Sequence, residues 1–235
     1  MNELMKRMIT CVATAMFLMS APALAQQAML DDQVAAELQA QGIDPATATQ
    51  AQRDAALNAV LTAVIAAQVG GDIASASDAE VAAAVGALIT SNPTLSTATV
   101  AALSRAAATV KPTAAAQVAG AATAARPAAA VQITRAVVQA QPAQAASIAA
   151  TASEAAVAAG ANTDEVGAIV ANAADASGGL ATLQSVISEV ATETGIDPAE
   201  VAVEAAVAVI EVAEEVAEEV AEEAIENPAQ LGSPS

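Results

Sequence analysis

The sequence predicts an all-α protein, an alanine-rich, α-solenoid-like stack of short helices flanked by longer amphipathic ones. Three observations predict it. Pro112, Pro127 and Pro142 recur every 15 residues in a stretch that is otherwise mostly alanine. The phrase Gly-Ile-Asp-Pro-Ala stands at Gly42–Ala46 and again at Gly195–Ala199. No residue after Phe17 is aromatic, so a core must come from Val, Ile, Leu and Ala making many small contacts.

The first segment, 1–25, has the three parts of a secretory signal peptide. Lys6 and Arg7 form its positive start and Met8–Met19 its apolar run, and Ala23-Leu24-Ala25 follows Pro22 as a small-x-small cleavage site. Cleavage is expected before Gln26. The apolar run is shorter than the roughly 20 residues that a membrane-spanning helix needs. Cys11 lies inside the apolar run, which argues against a lipid-anchored cysteine.

An N-terminal helical segment is expected over 26–90, with helices near 31–41, 45–69 and 78–90. The repeated phrase reads as punctuation. Gly stops a helix in the left-handed conformation, Ile pegs the chain, Asp caps and Pro takes the first helical position. Helices are therefore expected from Pro45 and from Pro198. Leu57, Val60, Leu61, Val64 and Ile65 make an apolar stripe for a partner helix. Ser77 with Glu80, and Asn162 with Glu165, match capping boxes, and Gly70-Gly71, Gly160 and Gly178-Gly179 mark breaks.

The segment 91–160 holds the Pro-punctuated repeats, with helices near 94–110, 112–125, 127–140 and 142–159. Six residues after each Pro stands a large apolar residue, Val118, Ile133 and Ile148. Val100 and Ile169 hold the same place if Thr94 and Thr163 substitute for Pro. Alanine around each knob lets helices approach closely. A single long helix kinked at every Pro would cost about 3 kcal/mol per kink and leave the knobs in water. Helices reversing direction at Lys111, Arg126 and Gln141 are expected instead.

The segment 161–226 should continue with helices near 163–176, 180–194 and 198–226, followed by a disordered tail, 227–235. Its last helix contains "EVAEEVAEEVAEE", where Val212, Val216 and Val220 step by four residues. That stripe slips about 40° per step around a 3.6-residue helix. Glu211, Glu215, Glu219 and Glu223 form one row and Glu214, Glu218 and Glu222 the next. Like charges four apart cost about 0.2–0.5 kcal/mol per pair, so these seven glutamates are either a solvating face or an acidic interaction face. No acid lies between Glu80 and Glu154, where Arg105, Lys111, Arg126 and Arg135 sit. Lys111 and Arg126 hold equivalent repeat positions, so one basic interaction edge is expected, able to meet the acidic helix within or between chains.

Composition excludes several functions. There is no His, and the single Cys lies in the leader, which removes His relays, thiolate nucleophiles and nitrogen or sulfur ligands for zinc. A sugar-hydrolysing carboxylate pair would lack an aromatic platform. No enzyme, cofactor or metal site is expected beyond weak, nonspecific divalent-cation binding. A net charge of −19 repels nucleic acid and anionic lipid. The leading expectation is a secreted structural or interaction protein of a bacterium, periplasmic or extracellular, a helical-repeat scaffold of the envelope or matrix. Its partner would be itself or another envelope protein, with no membrane span in the mature chain. Thr113, Thr123 and Thr134, spaced by ten and eleven residues, resemble the Ala/Thr-rich helical antifreeze family. That resemblance implies a surface-active or ice-binding alternative, although the family's helix is uninterrupted and Pro127 interrupts this one. A small-molecule carrier finds no pocket signature in the sequence.

Overall fold

The computed structural model describes residues 23–178 and 181–210. They form ten helices and no strand: α1 (Ala23–Ala40), α2 (Gln50–Val69), α3 (Asp78–Ser91), α4 (Thr97–Val110), α5 (Ala115–Ala125), α6 (Ala130–Ala140), α7 (Ala145–Ala158), α8 (Thr163–Ala176), α9 (Leu183–Thr194) and α10 at 198–210.

Each repeat proline opens a three-residue 3₁₀ turn, Pro112–Ala114, Pro127–Ala129 or Pro142–Gln144, before its α-helix begins. The residue before each proline is the whole corner. Lys111, Arg126 and Gln141 take φ,ψ of −125,78, −145,76 and −134,66, because a following Pro ring disfavours the α region. Their backbone N–H groups still donate to Ala107, Ala122 and Val137. Their carbonyls accept from Ala114, Ala129 and Gln144, at 3.0 Å in each case. The proline lacks an N–H at the first helical position, where none is missed, so the corner residue keeps both of its backbone hydrogen bonds.

The principal contacts join each helix to the one two places along. One row is α3, α5, α7, α9, and the other is α2, α4, α6, α8, with α1 packed on α2. α10 extends the second row, its backbone at Glu204 and Ala205 lying against Gly167 of α8. Gln141 Nε2 donates to Ala108 O and Gln144 Nε2 to Pro112 O, so the α4–α5 and α6–α7 corners share one edge. Arg126 binds the α3–α4 loop, so the α5–α6 corner lies on the other edge. Helices within a row therefore run parallel, and the chain reverses at every corner.

Val100, Val118, Ile133, Ile148 and Ile169, the five expected knobs, are all fully buried. Around them Ala107, Ala119, Ala122, Ala149 and Ala152 are also fully buried, as close helix packing requires. One continuous core runs from Leu61 to Ala205, with a satellite of Leu38, Ala48 and Ala56 beneath α1. In the α2 stripe Leu61 and Ile65 are buried, while Leu57 and Val64 are half-buried against that core.

Both expected capping boxes form, Ser77 with Glu80 and Asn162 with Glu165. The Ser77 backbone and hydroxyl donors hold the Glu80 carboxyl below the usual carboxylate range. The two Gly-Ile-Asp-Pro-Ala copies diverge. Gly42 and Gly195 both take positive φ, +77° and +72°. Asp197 caps α10, accepting from Ala199 N at 2.8 Å, and the helix starts at Pro198. Asp44 makes the same bond to Ala46 N, yet only a turn follows. The helix expected from Pro45 starts at Gln50 instead, because Thr49 makes a competing capping box with Gln52. α4 likewise starts at Thr97, not at 94, since Ser96 accepts from Thr99 N. α9 starts at Leu183, capped by Thr182.

Four fully buried hydroxyls lie in this core, Ser104 and Thr134 in the second row and Thr123 and Ser153 in the first. Ser104 donates back to Val100 O at 2.9 Å. The other three make no hydrogen bond. An unsatisfied buried hydroxyl costs about 1–3 kcal/mol, so Thr134→Val should raise the urea midpoint. A lowered midpoint would show that the hydroxyl is satisfied in solution.

Two glycines test the packing. A methyl on Gly167 would press on the Glu204 Cβ and lie 2.7 and 2.8 Å from Glu204 C and Ala205 N. On Gly86 it would meet Ala121 O at 3.4 Å, an ordinary contact. Gly167→Ala should therefore cost about 1–3 kcal/mol. Gly86→Ala should gain up to about 1 kcal/mol from helix propensity. Denaturant melts of the pair check both signs.

Candidate interaction surfaces

The four basic residues expected along one edge are divided among three places. Lys111 lies on the first edge, where its Nζ donates to Ala74 O at 3.1 Å and stands 3.8 Å from the Asp78 carboxylate. Thr113 donates to the same carboxylate at 2.7 Å. Arg126 lies on the opposite edge, donating from Nη1 to Leu95 O at 3.1 Å and from Nη2 to Pro93 O at 2.8 Å. The expected single edge fails for a geometric reason. Corners alternate between edges, so residues one repeat apart fall on opposite sides and only residues two repeats apart share one.

Both corner cations bind carbonyls of the loop one full turn of the stack earlier. Gln141 reaches back in the same way to Ala108 O in the last turn of α4. These side chains tie successive layers together.

Arg105 and Arg135 are two repeats apart, on α4 and α6 in the second row. Each directly follows a fully buried hydroxyl residue, Ser104 or Thr134, so both emerge on the same flank. Arg105 is half-buried and Arg135 exposed. Arg135 lines a groove with Ala171, Asn172 and Asp175 of α8 and Ala208 and Val209 of α10. Of the four, this pair alone lies on a common face. The expected acidic face, Glu211, Glu214, Glu215, Glu218, Glu219, Glu222 and Glu223, lies outside the described residues, as does the leader through Pro22.

Thr123 and Thr134 are fully buried and Thr113 is exposed. The three threonines therefore present no common surface, and the geometric basis for an ice-binding array is missing. The uninterrupted helix of the antifreeze resemblance is replaced by a chain that reverses at every corner, with Thr123 and Thr134 facing the core.

One surface was not anticipated. Val203, Val207 and Ile210 on α10 are 59, 43 and 57% exposed. Their i, i+4, i+7 spacing was available in the sequence, but only packing decides which apolar face of a helix is left over. Beside Val203 an open groove is lined by Thr163 and Asp164 of α8 and Ala199, Glu200 and Glu204 of α10. Among the described residues no three acidic groups are placed to hold a metal ion, and no helix is long and apolar enough to cross a membrane.

Arg126→Ala removes two hydrogen bonds from a charged donor and should cost about 1.5–3 kcal/mol. Arg135→Ala should stay within about 0.5 kcal/mol of the parent, as surface changes do. Equal melts for the two variants would remove the distinction between tie and surface. No family model matches the chain, and no curated protein or solved structure matches it.

Proposed function

We propose that the chain is an exported, non-enzymatic structural or interaction protein, a helical scaffold of a bacterial envelope or extracellular matrix. The observation that supports it is how the polar side chains are employed. Lys111, Arg126 and Gln141 reach back to main-chain carbonyls of an earlier layer and hold layers together, leaving long, parallel helix flanks as the accessible product of the fold. A mature chain without His or Cys has few means of nucleophilic or metal chemistry. The leader, with its positive start, apolar run and small-x-small site, supports export.

Charge suggests how copies associate. Arg105 and Arg135 share a flank of the acid-free middle, and seventeen acids with no base occupy Glu154 to Glu226. In this reading the acidic C-terminal segment of one molecule meets the basic flank of another. Sedimentation of the mature chain at low and at high ionic strength tests it. Association should be present at low salt and largely lost at about 1 M, where the screening length is about 3 Å. A monomer at every salt concentration that also captures no envelope component would overturn the scaffold reading.

A further inference from the structure

We propose that the outer face of α10 is the docking site for a basic amphipathic helix of a partner protein. The inference rests on the interaction-scaffold reading and names the surface and the chemistry of its occupant.

At about 100° per residue, Val201, Ala205 and Ala208 share the side of α10 that faces α8. Val201 and Ala205 are fully buried, and Ala208 packs against the core. Val203, Val207 and Ile210 each lie two residues further on, about 200° around the helix. Val207 and Ile210 lie on the side away from α8, and Val203 borders the open groove between the two helices. Among the described residues the second row thus runs α2, α4, α6, α8, α10 and ends on an apolar face. Terminal helices of stacked folds normally carry a polar outer face. This one carries two valines and an isoleucine.

Charge selects the occupant. The groove at the N-terminal end of the stripe brings Asp164, Glu200 and Glu204 beside Val203. These carboxylates are too dispersed to form a metal site, and they suit separate ammonium or guanidinium contacts. The sequence has no Lys or Arg after Arg135 and eight more acids from Glu211 to Glu226. A second copy offering the same face would set carboxylate against carboxylate. Its N-terminal end would offer one base, Arg53, among eight acids between Asp31 and Glu80, and α4 and α6, which carry Arg105 and Arg135, have no exposed large apolar residue to fill the slot. A foreign helix with Leu, Ile or Val at i, i+4, i+7 and Lys or Arg beside them satisfies both the apolar slot and the carboxylates.

The test uses the full mature chain and a fluorescently labelled 14-residue Leu/Lys amphipathic peptide, with its Leu/Glu counterpart as control. The Leu/Lys peptide should bind saturably at one per chain, and the Leu/Glu peptide should not bind. Val203→Ser, Val207→Ser and Ile210→Ser combined should weaken binding at least about tenfold, with an unchanged melting temperature. Asp164→Asn, Glu200→Gln and Glu204→Gln combined should also weaken it and flatten its salt dependence. Unchanged affinity in the serine triple variant overturns the proposal. So does affinity lost only on truncation after Ile210, which marks diffuse attraction to the acidic end. Self-association abolished by the serine triple variant overturns it too, in favour of a second copy. If the chain self-associates or holds an envelope partner in a manner indifferent to these variants, the scaffold reading survives and this docking site does not.

Discussion

The architecture depends on one local constraint, the exclusion of a pre-proline residue from the helical region. Lys111, Arg126 and Gln141 each sit near φ −135° with ψ near 70°, where the preceding turn has ended and the next has not begun. One residue is enough to reverse the chain because its own N–H closes the old helix and its own carbonyl opens the new one. Proline asks for no donor at that point. Because the corner residue keeps both backbone hydrogen bonds, its side chain is free to reach the neighbouring layer, as Lys111, Arg126 and Gln141 do.

Small side chains turn that reversal into a solid. With a large aliphatic knob at each repeat position and alanine around it, helices two places apart approach until Gly120 and Gly167 have almost no clearance. A Cβ on Gly120 would lie 2.7 Å from the Thr151 Cγ2. Such an interior has no room for aromatic rings, and the sequence offers none. Buried hydroxyls are the exception, and they recur at two-repeat spacing, Thr123 with Ser153 and Ser104 with Thr134.

The two ends of the stack differ in how they are finished. At the N-terminal end α1 covers α2 with its own small cluster of Leu38, Ala48 and Ala56. At the C-terminal end α10 shows Val203, Val207 and Ile210 to solvent, beside a carboxylate-lined groove. In the middle Lys111 and Arg126 hold layers together, while Arg105 and Arg135 are left on the flank.

Helix type, the corner positions, the five knobs and two of the capping boxes are determined by the sequence alone. All of these are local: proline sterics, cap geometry and spacing act within a few residues of one another. Helix starts at Gln50 and Thr97 were misplaced because two caps competed and the nearer signal, Pro45 or Thr94, lost to Thr49 or Ser96. Which residues share an edge was decided only by tertiary structure. The chain reverses once per repeat, so Lys111 and Arg126 separate while Arg105 and Arg135 meet on one flank. Tertiary structure also decided that Thr134 is buried and Val203 bare, because exposure belongs to the neighbours a helix finds and not to the residue it carries.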